Sequence, residues 1–237
     1  MRRLITIICA ACTLVVSSFG AAQADSSNFA GPYVGLQALG LGAEFSGSGT
    51  SSQATQDGTV GSPSETDEVQ VGAVAASYGI EAGYAMPLGS SFILDIGAQY
   101  LSGEGKISHQ NTDAGRSAGN VSFKFDDHVT VYMAPTIVLS DTSSMYVKLG
   151  LSEADIGVTG DITTPANLSG TMWAVGTRTV LESGIFIRTE AGYTEYNGIS
   201  ASGKGSLTAG ADRIAQGTTF SAEPTIVHGN VSLGFRF

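Results

Sequence analysis

Residues 227–237 read Val-His-Gly-Asn-Val-Ser-Leu-Gly-Phe-Arg-Phe, with large apolar side chains at alternate positions. Because successive side chains of a β-strand point to opposite faces, this period of two predicts a strand with one apolar and one polar face. The apolar face carries Val227, Val231, Leu233, Phe235 and Phe237. The polar face carries His228, Asn230, Ser232 and Arg236. Such a strand fits a boundary between an apolar and a polar medium.

The same alternation recurs upstream. It predicts eight strands, at residues 32–45, 71–86, 92–102, 121–138, 145–157, 170–181, 185–196 and 224–237. The first strand is ambiguous, because Val34 and Leu36 have one parity while Leu39 and Leu41 have the other. Elsewhere, the charges near the middle of a strand share the polar parity. This set comprises Glu81, Asp95, Lys148, Arg178, Arg188, Glu190 and Arg236.

The predicted connections alternate between long and short. The long polar connections span residues 46–70, 103–120, 159–169 and 197–222, and the tight ones span residues 87–91, 140–144 and 182–184. This asymmetry is typical of an antiparallel barrel with long extracellular loops and short periplasmic turns. A soluble barrel would show the same period with its faces exchanged, so periodicity alone does not separate the two. A soluble sandwich would space its turns more evenly.

The N-terminus indicates export. Arg2 and Arg3 precede an apolar run from Leu4 to Val16, and Ala22-Gln23-Ala24 matches a signal peptidase site. An apolar run of roughly 13 residues is too short to cross a membrane as a helix. We therefore predict a cleaved signal peptide at residues 1–24 and a barrel domain at residues 25–237. Both cysteines, Cys9 and Cys12, fall in the removed segment, so no disulfide is expected.

Composition narrows the class of protein further. Charged residues make up 14% of the chain, against roughly 25% in average soluble domains, and glycine occurs 32 times. No other apolar run in the sequence is long enough for a membrane helix either. The formal net charge of −10 becomes more negative when Arg2 and Arg3 are removed, which argues against binding nucleic acid. Hydrophobicity spread over every second residue is typical of a membrane barrel.

Aromatic residues cluster near the strand ends, as expected at the two interfaces of a bilayer. The predicted aromatic belts contain Tyr33, Tyr84, Phe92, Tyr100, Phe123, Trp173 and Tyr193. A cation on the lipid-facing side near the midplane would cost about 2–4 kcal/mol, so the charged parity must face the lumen. The sequence thus predicts an all-β protein, an eight-stranded antiparallel up-and-down transmembrane β-barrel. It would lie in lipid, in a Gram-negative cell outer membrane.

Two segments carry a family resemblance. Tyr33-Val34-Gly35-Leu36-Gln37-Ala38 and Val231-Ser232-Leu233-Gly234-Phe235-Arg236-Phe237 resemble the ends of small outer-membrane barrels, including opacity-type surface proteins and the membrane domain of outer-membrane protein A. The resemblance implies an eight-stranded barrel without a wide pore. It also implies that periplasmic chaperones and the barrel assembly machinery handle the chain. The implied docking residues are Val231, Leu233, Phe235 and Phe237, which are equally suited to face lipid. We expect no periplasmic domain after the last strand, and the resemblance then does not imply peptidoglycan binding.

The lumen charges allow two interpretations. Eight strands leave an interior just wide enough for side chains, which favours a structural salt-bridge network. The alternative is a narrow ion or solute channel. The long polar loops, such as residues 46–70 with their acidic side chains, suggest a surface antigen or adhesin that binds an extracellular ligand or a host surface.

An enzyme, such as a lipid-modifying one, is the least favoured class. His109, His128 and His228 are the histidines available as bases, and the mature chain contains no G-x-S-x-G motif. A Ser–His–acid arrangement cannot be identified from spacing alone. Neither a cofactor nor a metal site is expected, because no metal-ligand spacing is present.

Overall fold

The computed structural model describes residues 25–52, 65–102, 105–109, 121–159, 166–209 and 212–237. The predicted signal peptide, residues 1–24, lies outside the described residues. The strands are β1 (Gly31–Ser52), β2 (Glu65–Pro87), β3 (Phe92–Ser102), β4 (Gly105–His109), β5 (Val121–Val138), β6 (Ser143–Thr159), β7 (Ala166–Val180), β8 (Ile185–Tyr196), β9 (Ile199–Ala209) and β10 (Asp212–Arg236). Short 3-10 turns occur at Ser26–Phe29 and Glu182–Gly184. Within the described part of the chain, no helix is long and apolar enough to cross a membrane.

Eight of these strands form a closed antiparallel ring, in the order β1-β2-β3-β5-β6-β7-β8-β10. β10 pairs with β1 in continuous register, from Tyr33 opposite Arg236 to Ser52 opposite Gly217. Two strands lie outside the ring: β4 continues the ladder of β3 along β5, and β9 continues that of β8 along β10. The predicted eight-stranded up-and-down barrel is confirmed.

The outer surface of the ring is apolar. Side chains such as Leu36, Ile80 and Leu149 are exposed on it, whereas the opposite parity is buried inside. This resolves the first strand, because Val34 and Leu36 point outward and Leu39 is buried in the lumen. The irregularity lies instead in β5, between Asp126 and Val129.

The predicted extents of several loops were partly wrong. Residues 46–52 and 65–70 extend β1 and β2, and residues 199–209 and 212–222 form a further β-hairpin. Residues 105–109, also predicted as loop, form β4. Most of these stretches are rich in Ser, Thr and Gly, and residues 65–70 are acidic. They carry no alternation of apolar residues, so the sequence gives no period-two signal there. Backbone hydrogen bonds between neighbouring strands hold them together instead.

Glycines inside the barrel make room for aromatic side chains. On adjacent strands, Tyr132 lies opposite Gly97 and Tyr146 opposite Gly176. A Cβ atom on Gly176 would overlap the Tyr146 ring. Each large ring therefore lies across a position where the neighbouring strand has no side chain. The same arrangement joins Tyr33 to Gly83 and Phe186 to Gly234.

Gly176→Ala should destabilise the barrel by about 1–3 kcal/mol, because the new methyl group overpacks the lumen against Tyr146. The measurement is the temperature at which the refolded protein loses its heat-modifiable mobility on gels. Gly229→Ala is the matched control, since nothing lies within 4 Å of that outward position. Equal melting temperatures for the two variants would show that the inward glycine is not required for packing.

Candidate functional site

The short-turn end of the lumen is closed by apolar side chains. Phe29, Tyr33, Ile93, Val138 and Phe186 form one buried cluster there. The prediction that Tyr33 belongs to an aromatic belt was wrong, because its side chain is 3% exposed and points into the lumen. Its ring packs edge-on against Phe186 at 5.8 Å. Because Tyr33 shares the inward parity of β1, its phenol contributes to the core.

Above this apolar layer lies the first group of charges. Asp95 Oδ2 accepts hydrogen bonds from Arg178 Nη2 at 2.7 Å and from Arg188 Nη2 at 3.3 Å. Arg188 Nη1 also donates to Glu81 Oε2 at 3.0 Å. All four side chains are buried, so the low dielectric of the interior strengthens these ion pairs. One carboxylate on β3 thus joins arginines on β7 and β8.

The second group of charges is centred on Glu190. Lys148 Nζ lies 2.5 Å from Glu190 Oε2. The same oxygen accepts a hydrogen bond from the Tyr146 hydroxyl at 2.9 Å. The other carboxylate oxygen, Oε1, accepts from Asn230 Nδ2 at 3.1 Å and lies 3.3 Å from His228 Nε2. Four side chains from two other strands, β6 and β10, thus converge on one carboxylate.

Aromatic rings separate and support the cations. The guanidinium of Arg188 lies 4.5 Å from the Tyr33 ring centroid, and Lys148 Nζ lies 4.4 Å from that of Tyr132. Cations over ring faces gain about 0.5–2 kcal/mol, the larger value where water is absent. The Tyr33 and Tyr132 hydroxyls are 2.9 Å apart and join the two groups of charges.

The seven charges predicted for the lumen are not all in one place. Six of them, Glu81, Asp95, Lys148, Arg178, Arg188 and Glu190, lie in the two buried groups, and their formal charges cancel. Arg236 lies apart, at the short-turn end, where its Nη1 donates to the backbone carbonyls of Ser27 and Ala30 at 3.0 Å each. The sequence analysis missed this contact with the N-terminus.

The remaining predicted residues lie on the outer surface. Tyr84, Phe92, Tyr100 and Trp173 are exposed, and the Trp173 ring lies 5.8 Å from that of Tyr193. The Tyr100 hydroxyl donates to Asp127 Oδ1. The side chain of Phe123 lies outside the described part of the chain. The four residues predicted to dock the assembly machinery, Val231, Leu233, Phe235 and Phe237, all point outward, and their docking role stays a prediction.

Residues 25–30, which we call the N-terminal plug, also contribute to the site. The Phe29 side chain is fully buried beneath the charges, and Arg178 Nη1 lies 3.5 Å from the Phe29 carbonyl oxygen. The sequence predicted no structure here, because a single apolar residue in Ser26-Ser27-Asn28-Phe29 has no period. The sequence also left unidentified three polar partners of the lumen charges, Tyr146, Asn230 and Gln99. Their inward parity could have identified them.

Catalytic and metal chemistry find little support in this geometry. Asp127 lies on the outer surface with the Tyr100 hydroxyl, whereas the His128 ring packs against Tyr196 at 6.1 Å between centroids. His109 lies on β4, and its side chain is outside the described part of the chain. Among the described residues, no group of three His, Cys, Asp or Glu side chains is arranged to hold a metal ion.

A closed antiparallel barrel with an apolar outer surface and paired charges inside defines an outer-membrane β-barrel protein. The family described as "Outer membrane protein beta-barrel domain" matches residues 11–222, and the chain belongs to this family. The protein therefore lies in the outer membrane. Barrels of this class have their short turns on the periplasmic side and their longer connections on the extracellular side.

Solved structures similar to this chain include three small membrane proteins. OprG from Pseudomonas aeruginosa is 12% identical with a TM-score of 0.46, over 88% of this chain and 97% of that one. Neisserial surface protein A is 12% identical with a TM-score of 0.36, over 84% and 97%. Ail of Yersinia pestis is 12% identical with a TM-score of 0.33, over 81% and 98%. No curated protein sequence matches the chain significantly.

Glu190→Gln should lower the heat-modification temperature strongly. The amide cannot neutralise Lys148, and a buried charge left without its partner costs about 3–5 kcal/mol. Glu195→Gln is the matched control, because Glu195 lies five residues along the same strand but is exposed. Adding Lys148→Met to Glu190→Gln should restore much of the loss, since neither partner then leaves an unmatched charge in the interior. Equal stability of the two single variants would contradict a structural role for Glu190.

Proposed function

We propose that this protein is a non-conducting barrel that displays an extracellular binding surface. The single observation that carries the proposal is the unequal length of the strands. β1, β2 and β10 contain 22, 23 and 25 residues, whereas β3 and β8 contain 11 and 12. About 9–11 residues suffice for a tilted strand to cross the bilayer. The long strands therefore continue by about a dozen residues, or roughly 40 Å, beyond that requirement.

The extra strand length forms one continuous sheet. Its strands are hydrogen-bonded in the order β2-β1-β10-β9, through residues 65–70, 46–52, 212–222 and 199–209. We call this sheet the extracellular blade. Its sequence is rich in Ser, Thr and Gly, which suits hydrogen bonding to a polar partner better than burial in lipid. A paired sheet presents its side chains in a fixed order, unlike a flexible loop. Its proposed partner is an extracellular ligand or a host surface.

The filled lumen argues against transport. Asp95, Glu81 and Lys148 are at most 1% exposed, although a water-filled pore would leave its charged lining in contact with solvent. The charges instead satisfy one another, and Phe29 closes the periplasmic end. Support for a structural and display role thus comes from the interior and from the blade independently. No catalytic role is proposed.

Replacing residues 46–70 with an Asn-Gly turn should remove binding to target cells or matrix and leave the barrel intact. Phe45 and Val71 are paired neighbours in the ladder, and Asn-Gly favours a two-residue hairpin, so β1 and β2 can be reconnected there. The measurements are whole-cell binding, heat-modification temperature and single-channel recording in a planar bilayer.

Thr142→Ala, in a periplasmic turn, is the control for expression and surface density. Undiminished binding of the shortened protein would overturn the display function. Stepwise currents through the unaltered mature protein would instead favour a narrow channel.

A further inference from the structure

The N-terminal plug crosses the periplasmic mouth and is held by two of the short turns. The Ser26 backbone N–H donates to the Ser90 carbonyl at 2.9 Å, in the connection between β2 and β3. The Asn28 side chain donates to the Asp141 carbonyl at 3.3 Å, in the connection between β5 and β6. These two connections are neighbours, since the Val138 backbone N–H donates to the Ser91 carbonyl at 2.9 Å.

Contacts from the barrel wall and the lumen complete its attachment. The side chain of Arg236, on β10, binds the carbonyls of Ser27 and Ala30. Phe29 extends upward into the apolar cluster, and Arg178 links its carbonyl to the charges above. The plug is therefore anchored on several sides. Its first residue, Asp25, adds a further contact.

That first residue places its backbone nitrogen beside a carboxylate. The nitrogen of Asp25 lies 3.2 Å from Asp141 Oδ1. The Asp25 carboxylate is engaged elsewhere, because it accepts the Ser27 backbone N–H at 2.9 Å. The same hydrogen bond lowers the pKa of the Asp25 carboxyl from its ordinary value. Asp141 is thus the carboxylate that faces the Asp25 nitrogen.

The predicted signal peptidase site lies directly before this nitrogen. Hydrolysis of the Ala24–Asp25 peptide bond consumes one water, leaves a carboxylate on Ala24 and frees the α-amine of Asp25. The α-amino group is largely protonated at neutral pH, since its pKa is about 8. A neutral amide donor then becomes a cation, and a hydrogen bond between opposite charges is roughly twice as strong as a neutral one.

We propose that removal of the signal peptide locks the periplasmic plug, by creating an ion pair between the α-ammonium group of Asp25 and the carboxylate of Asp141. In a chain that retains Ala24, the same nitrogen is an uncharged amide and holds the plug less firmly. The position of the signal peptidase cut thereby sets how firmly the plug closes the periplasmic mouth.

The test compares two refolded chains, one beginning at Asp25 and one retaining Ala24. Retaining one residue restores the amide at Asp25 and moves the charge out of register with Asp141. The reporter is Val138→Cys, in the apolar cluster that Phe29 enters, and the mature chain has no other cysteine. A small maleimide should label the chain that begins at Asp25 about two- to five-fold more slowly, the range expected of an exposed ion pair.

Two substitutions assign this difference to the ion pair. Asp141→Asn keeps the hydrogen-bond acceptor but removes the charge, so both chains should then label at the same, faster rate. Asp155→Asn, at the exposed extracellular end of β6, should leave the difference unchanged. Equal labelling of the two unsubstituted chains overturns the proposal. The proposal is also overturned if N-terminal sequencing of the protein isolated from outer membranes shows that it begins at a residue other than Asp25.

Discussion

Closure of the ring by the ladder between β1 and β10 is the constraint on which the rest of this molecule depends. Hydrocarbon offers no partner to a backbone N–H or C=O group, and each unpaired group costs several kcal/mol. The paired positions from Tyr33 to Phe45, the first part of this ladder, remove the edge that β1 and β10 would otherwise present to lipid. Once the ring is closed, every side chain must face either lipid or a narrow interior.

That interior is too narrow for large side chains on all strands at once. The solution is local: an inward ring on one strand lies opposite a glycine on the next, as Tyr132 does with Gly97 and Tyr146 with Gly176. The aromatic rings then form the surfaces on which Arg188 and Lys148 rest. Glycine in a strand costs about 0.5–1 kcal/mol in isolation, but here it makes room for both an aromatic ring and a cation.

Alternation was sufficient to predict the ring strands, because lipid and lumen impose opposite demands at every second residue. It failed where those demands end. Beyond the membrane that opposition is no longer required, and residues Ser200 to Ser206 of β9, which show no apolar period, were predicted as loop. Tyr33 was assigned to a belt because it lies near the short-turn end of β1, a strand whose parity the sequence left ambiguous. The signal that places Tyr33 inside is Gly83, its partner on β2, and it requires knowing the register.

The charged residues of the lumen were predictable from parity, but their pairing was not. Arg188 and Glu81 are 107 residues apart, and Arg178 and Asp95 are 83 apart, so strand register alone brings them together. Arg178 then extends the network downward to the carbonyl of Phe29, in a segment that shows no pattern in the sequence. The charges and the plug therefore form one continuous structure. Any motion that withdraws Phe29 also disturbs a buried arginine, which ties closure of the periplasmic mouth to the stability of the barrel.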